Sequence, residues 1–261
     1  MPELSLEKVS FNYGSSFSLQ DINMSIPEKG FLSLIGPNGS GKTTLLKIMS
    51  GLTKPKSGTV RLGDDHINKL GARELAKQIA VISSNQYFEF PFPVETIISM
   101  GRFPHLNRLQ QLDQNDMEIV EKALHITQTT HLRNRPISQL SSGERQRVLI
   151  ARTIAQQTPF LMLDEPNTHL DIKHQISIFR LLEELNKKHN MSIVIVLHDL
   201  TAAATFSQTV ALLDRGKLLT IGLPEEVITT ANIKTVYGAN VKIYPSLSKK
   251  FTQVNYFQTD S

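Results

Sequence analysis

The sequence predicts an α/β domain built on a mainly parallel sheet, and three observations carry that expectation. FLSLI (31–35), FLMLD (160–164) and SIVIVL (192–197) are continuous apolar runs of strand length, the pattern of strands covered on both faces. Between the last two, DIKHQISIFRLLEELNKKH carries Ile172, Ile176, Phe179, Leu182 and Leu185 at helical spacing. FLSLI runs straight into a glycine-rich loop, after which TTLLKIMSG continues as a helix closed by Gly51. Strands alternating with helices in this order imply right-handed crossovers.

At the amino end LSLEKVSF and FSLQDINMSI alternate apolar and polar residues and read as paired strands of an antiparallel β subdomain, with a turn around Tyr13, Gly14 and Ser15. A further core strand is expected at 79–82. Residues from about 87 to 157 differ in character: helix-rich, polar, and interrupted by Pro91, Pro93, Pro104 and Pro136. The simplest reading is a helical subdomain inserted in a single domain spanning 1–245, with 246–261 as a polar C-terminal tail that frays at its end.

Bulk composition narrows the class. A chain of 261 residues can bury a sizeable core, and the absence of cysteine removes disulfides and thiolate metal sites, which suits a reducing compartment. MPELSLEKVSF lacks the pattern of a secretory signal, and the most apolar run, MSIVIVLHDL, is broken by His198 and Asp199. A soluble protein is expected, one able to dock on a membrane protein. The formal net charge of +4 suits an anionic ligand or membrane surface, and equally an ordinary solvated surface.

The stretch GPNGSGKTT, Gly36, Pro37, Asn38, Gly39, Ser40, Gly41, Lys42, Thr43 and Thr44, has the spacing G-x4-G-K-T after a strand and before a helix. A phosphate chain is held most readily by a concave row of backbone N–H groups at a helix N-terminus, and glycines permit that geometry. This is a P-loop: Lys42 is expected to reach the β- and γ-phosphates of ATP and Thr43 to give its hydroxyl to Mg²⁺. FLMLDEP supplies the second half of such a site. Asp164 at the tip of a buried strand can hold Mg²⁺, and Glu165 beside it can orient or deprotonate an attacking water. Taken alone, Asp-Glu-Pro after a strand is as well explained by an ordinary turn or helix cap.

Small-molecule kinases share the P-loop, so QLSSGERQRVLIARTIAQ (139–156) decides. Leu140, Ser141, Ser142, Gly143 and Glu144, followed by Arg-Gln-Arg, resemble the signature of ABC-type ATPases, commonly LSGGQ, with Ser142 for the first glycine and Glu144 for the glutamine. A small, polar helix N-terminus of this kind can bind a γ-phosphate. Locally the segment is also an ordinary serine-capped amphipathic helix.

The resemblance extends along nearly the whole chain and implies further roles. Tyr13 sits where these ATPases place an aromatic ring against adenine, Asn167 to Asp171 looks like their D-loop, and His198 resembles the histidine that senses the γ-phosphate. Their Q-loop glutamine has no clear counterpart: Ser84 falls in its slot, while Gln86, a candidate for Mg²⁺ and ATP, fits if the loop is two residues longer. In this family two copies clasp ATP head to tail, which implies a homodimer in which Lys42 of one faces Ser141 of the other.

FEFPFPVETIISMGRFPH (88–105) resembles the segment that meets the permease in bacterial importers of iron–siderophore complexes, haem and cobalamin, as do THLD (168–171) and VYGANVKIYP (236–245). The Pro-Phe-Pro turn and its aromatics are open to a second reading as local packing. The resemblance implies a subunit on the cytoplasmic face of the bacterial inner membrane, working with transmembrane permease subunits and a substrate-binding protein. The alternatives are another ABC transporter, or a soluble ABC ATPase of nucleic acid or ribosomes. No Lys/Arg-rich run with interleaved aromatics marks a nucleic-acid face, so no direct nucleic-acid partner is expected.

Overall fold

The computed structural model describes residues 3–14, 18–83, 88–168, 170–244 and the backbone of 253–256. In chain order the strands are β1 (Leu4–Asn12), β2 (Ser18–Ile26), β3 (Phe31–Ile35), β4 (Ser57–Leu62), β5 (Asp65–His66), β6 (Ile79–Ile82), β7 (Phe160–Asp164), β8 (Ser192–Val196), β9 (Thr209–Asp214), β10 (Lys217–Gly222), β11 (Val241–Tyr244) and β12 (Gln253–Tyr256). The helices are α1 (Lys42–Met49), α2 (Ala72–Gln78), α3 (Val94–Ser99), α4 (Gln114–Ile126), α5 (Ser142–Gln156), α6 (Ile172–His189), α7 (Leu200–Phe206), α8 (Pro224–Val227) and α9 (Thr230–Tyr237). The chain divides into two compact units, one formed by 1–69 with 192–261 and the other by 70–191.

In the first unit β3 lies between β8 and β9 and is parallel to both, while β10 returns antiparallel along β9. All five residues of β3 and all five of β8 are buried, as continuous apolar runs require of strands covered on both faces. A separate antiparallel sheet runs in the order β2-β1-β4-β5. Its alternating strands bury Leu4, Leu6, Val9, Leu19, Ile22 and Ile26 on one face. β11 and β12 form a short antiparallel ribbon, so residues 253–256 of the expected tail are paired strand.

The second unit holds the parallel pair β6–β7 and the helices α2 to α6. Residues 87–157 fall within it and have a core of their own, in which Val94, Ile97 and Ile98 of α3, Val120 and Leu124 of α4, and Val148 and Ala151 of α5 are fully buried. At its edge Arg102 is buried against Asp116. Its Nε donates to Asp116 Oδ1 at 2.8 Å, and its Nη1 donates to the Ala155 carbonyl and to Gln157 Oε1, each at 2.8 Å. Burial alone would raise the Asp116 carboxyl pKa, but the Arg102 hydrogen bond and the Asp113 amide outweigh it and hold the group below its ordinary value.

The apolar stripe of α6 does not stay buried along its length: Phe179, Leu182 and Leu185 are interior, whereas Ile172 is 76% exposed and Ile176 42%. Helical spacing tells which residues share a face, and the first turns of that face are uncovered in the chain by itself. No helix among the described residues is long and apolar enough to cross a membrane.

Candidate nucleotide site

The loop between β3 and α1 is shaped by glycine. Gly36, Gly39 and Gly41 have φ of 149°, 78° and 106°. Gly36 is also enclosed: a Cβ placed there would lie 2.2 Å from the Leu213 carbonyl oxygen and 2.7 Å from Ser40 Oγ, so only glycine fits. Gly41 is the N-cap of α1 and brings no side chain to cap it, which keeps the amino end of the helix clear of the usual Ser, Thr, Asp or Asn oxygen. Lys42 folds back over the loop, its Nζ donating to the carbonyls of Gly36 at 2.8 Å and Pro37 at 2.9 Å. Asn38 and Gly39 are exposed, Thr43 and Thr44 half-buried. Ser40 Oγ is buried without a hydrogen-bond partner among the described residues, an unusual state for a buried hydroxyl.

His198 is in the same unit and emerges beside this loop. β8 pairs with β3 through Leu34↔Val196, and the Leu197 amide donates to the Leu34 carbonyl at 3.0 Å, so the two chains leave the sheet as neighbours. His198 is exposed, and Asp199 after it caps α7 by accepting from the Thr201 and Ala202 amides at 2.8 and 3.1 Å. The carboxyl ends of adjacent parallel strands are where open α/β sheets bind ligands. Tyr13, 52% exposed, packs edge-on to Phe11 with ring centroids 4.7 Å apart, leaving ring surface accessible.

In the second unit Asp164 ends the buried strand β7 and is itself buried. Glu165 is half-buried, with a left-handed φ of 51°, uncommon for a residue with a side chain. Its carbonyl accepts from the Thr168 amide at 3.3 Å and hydroxyl at 3.1 Å. The segment is therefore a tight turn, as the local reading of Asp-Glu-Pro expects.

Ser141 is the N-cap of α5 in a reciprocal capping box: its hydroxyl accepts from the Glu144 amide at 3.3 Å while Glu144 Oε2 accepts from the Ser141 amide at 2.9 Å and hydroxyl at 2.8 Å. The Ser141 amide, above all, holds the Glu144 carboxyl below its ordinary pKa. Glu144 is thus an internal anion at the helix N-terminus, with Arg135 Nη1 3.7 Å from its other oxygen. Ser142 is exposed and Gly143 buried.

The structure brings Gly36 to Thr44 and His198 to neighbouring strand ends in the first unit, with Asp164, Glu165 and Ser141 to Glu144 in the second. Gln86, Ser84 and His169 lie outside the described residues. The segment expected to meet a permease exposes Phe90 and Phe103, but Arg102 within it turns inward to Asp116, so the pattern mixes surface and core. Sequence reasoning passed over His174, whose ring walls in Gly143. The only sign of it was the spacing Asp171-x-x-His174 at the start of a helix.

A strand, a glycine-rich turn and a helix N-terminus on a parallel sheet, with a buried carboxylate ending another strand, define a P-loop nucleotide-binding protein of the α/β class. Residues 19–168 match the model of the ABC transporter family. The chain is 39% identical to the iron(3+)-hydroxamate import ATP-binding protein FhuC of Bacillus subtilis over 93% of its own length and 90% of that protein's. With the hemin import ATP-binding protein HmuV of Escherichia coli O157:H7 it shares 37% identity over 85% of this chain and 87% of that one. Among solved structures, a metal-chelate type ABC transporter in an inward-facing conformation aligns with TM-score 0.87 and 26% identity over 99% of both chains. The dimeric bacterial cassette MJ0796 aligns with TM-score 0.73 and 29% identity over 85% of this chain and 98% of that one. The chain belongs to the ABC transporter family and is an ATPase of that type.

Proposed function

We propose that this chain is the ATP-binding, ATP-hydrolysing subunit of a bacterial importer, peripheral on the cytoplasmic face of the inner membrane, and that it drives a separate permease to take up iron–siderophore complexes. The observation that carries the reading is the near full-length likeness to import ATP-binding proteins, joined to a loop with the geometry that a triphosphate needs. Haem and cobalamin are the neighbouring cargoes. We read 1–245 as one ATPase domain with the helical segment 87–157 inserted in it. A substrate-binding protein completes the system.

The residues fit ATP and Mg²⁺. The enclosed glycine, the uncapped amino end of α1 and the partnerless hydroxyl of Ser40 form a cradle for phosphate oxygens. Lys42 is already held over that cradle by two carbonyls and needs only to swing its ammonium to the β- and γ-phosphates. Thr43 and Asp164 offer the hard oxygen ligands that Mg²⁺ prefers, with Gln86 as a third candidate. When bound, the ion neutralises phosphate charge. Tyr13 stacks on adenine and His198 donates to the γ-phosphate. Glu165, pinned by its turn, orients a water and accepts its proton as the water oxygen bonds to the γ-phosphorus and ADP departs. Ser141 and Gly143 come from a second copy, so the working form is a two-fold homodimer.

The test is uptake of labelled ferric siderophore, haem and cobalamin in cells lacking the protein, complemented with wild type or Lys42→Ala. The expected result is that ferric siderophore uptake fails and only the wild type restores it. Normal uptake of all three cargoes in the deletion strain would overturn the iron–siderophore, haem and cobalamin reading, and a pull-down from detergent-solubilised membranes would then decide between another transporter and a soluble role.

A further inference from the structure

The first turn of α6 holds two functional segments at once. A Cβ built on Gly143 would lie 2.3 Å from His174 Cδ2 and 2.7 Å from Cγ, so the backbone of the signature segment rests directly against the imidazole. The ring is fixed from its other side. Asp171 Oδ1 accepts from the His174 amide at 2.8 Å and sits 2.7 Å from His174 Nδ1. The hydrogen bond from the His174 amide does most to hold the Asp171 carboxyl below its ordinary pKa. An ionised carboxylate only accepts, so Nδ1 carries the hydrogen and the Cγ–Cδ2 side of the ring is presented to Gly143. One residue on, Gln175 Nε2 donates to the Leu170 carbonyl at 2.9 Å and to the Asn167 carbonyl at 3.4 Å, tying the segment before α6 to the same turn.

We propose that His174, oriented by Asp171, is a positioning residue: it sets where the amino end of α5, with Ser141 and Gly143, stands relative to Asn167 and Leu170, which follow Glu165 in the chain. This rests on the reading that Ser141 and Gly143 complete the ATP site of a second copy. Movement of the segment after Glu165 is then transmitted through the imidazole to the signature helix as one packed unit. Loss of the ring leaves Gly143 without its wall, so ATP-driven pairing weakens while binding of ATP to the P-loop of a single chain does not change.

The experiment measures Mg-ATP-induced dimerisation by sedimentation in the Glu165→Gln background, with fluorescent-ATP binding at protein concentrations too low for pairing, and thermal melting. His174→Ala is expected to raise the protein concentration for half-dimerisation on the order of tenfold, with monomer ATP affinity and melting point unchanged. His174→Gln, which keeps a planar group and a donor for Asp171, restores pairing to within about threefold, well short of that loss. Gly143→Ala is expected to be far more harmful with His174 in place than when combined with His174→Ala, since the combined variant removes the wall the new methyl meets.

Pairing unaltered by His174→Ala, a loss that follows the melting point alone, or Gly143→Ala equally harmful in both backgrounds would each overturn the inference while leaving the ATPase reading intact. Failure of the parent Glu165→Gln protein to pair with Mg-ATP would overturn that reading and the inference with it.

Discussion

Replacing Gly36 by alanine tests the nucleotide loop at its tightest point. The added Cβ would lie 2.2 Å from the Leu213 carbonyl oxygen and 2.7 Å from Ser40 Oγ, and the backbone there has φ 149°. The first neighbour is the backbone of β9 itself, where Leu213 pairs with Leu218 of β10 and the preceding Leu212 pairs with Ile35 of β3, so it cannot swing aside as a side-chain tip would. Overpacking of this kind costs about 1–3 kcal/mol and a backbone conformation reserved for glycine about 1–3 kcal/mol more. Taking about 3 kcal/mol as the sum after relaxation, melting should fall by roughly 6–12 °C for a domain of this size. Gly39→Ala is the control, because its Cβ would meet nothing within 4 Å and only the φ of 78° opposes it, at about 1–2 kcal/mol. The assay is thermal melting of both variants with and without Mg-ATP. Gly36→Ala should also lose the ATP-dependent rise in melting point, since the loop must shift to admit the methyl. If Gly36→Ala melts no lower than Gly39→Ala and keeps that rise, the enclosure of Gly36 is not what shapes the loop.

Other contacts of the chain give further outcomes. Glu165→Gln keeps the turn but removes the base, so steady-state hydrolysis should fall by on the order of 10²-fold or more while an ATP-bound dimer accumulates; a phosphate-release assay with sedimentation checks both. Asp116→Ala strands the buried Arg102 guanidinium and should destabilise by about 3 kcal/mol or more, read as a lower denaturation midpoint. Because the folded pKa of Asp116 lies below its unfolded value, its contribution is present above about pH 4 and is lost as the pH falls through the folded value, so Asp116→Asn should flatten part of the acid limb of a stability–pH curve. Ser141→Ala should remove the reciprocal cap of α5 at about 1 kcal/mol and abolish ATP-induced pairing, whereas Ser141→Thr keeps a hydroxyl for the cap and should melt close to wild type.

Much of the fold could be read directly because its evidence is contiguous. The runs 31–35 and 160–164 are strands, 192–197 is strand over Ser192–Val196, a helix follows the glycine-rich loop, and the Pro-interrupted region is rich in helices with their own core. β4 and β10 are less legible, since SGTVRL and KLLTIG resemble loops until a neighbouring strand pairs with them. At the site, Gly36 to Thr44 and Asp164-Glu165 stood out because phosphate and metal chemistry needs particular residue types at short spacings. Arg102 did not: its motif pointed to a partner, and only Asp116, Ala155 and Gln157 closing around it show an interior strut.

What the sequence by itself determined is therefore the α/β class, the P-loop and the signature segment, whose meaning lies in neighbouring residues. The tertiary structure alone decided that Leu213 makes Gly36 irreplaceable, that Glu144 folds back on Ser141, that Ile172 and Ile176 remain uncovered, and that His174 braces Gly143. Periodicity and spacing follow from the geometry of one element, but which atoms close on a given glycine or guanidinium depends on segments far apart in the chain, and close packing settles that only once the chain is folded.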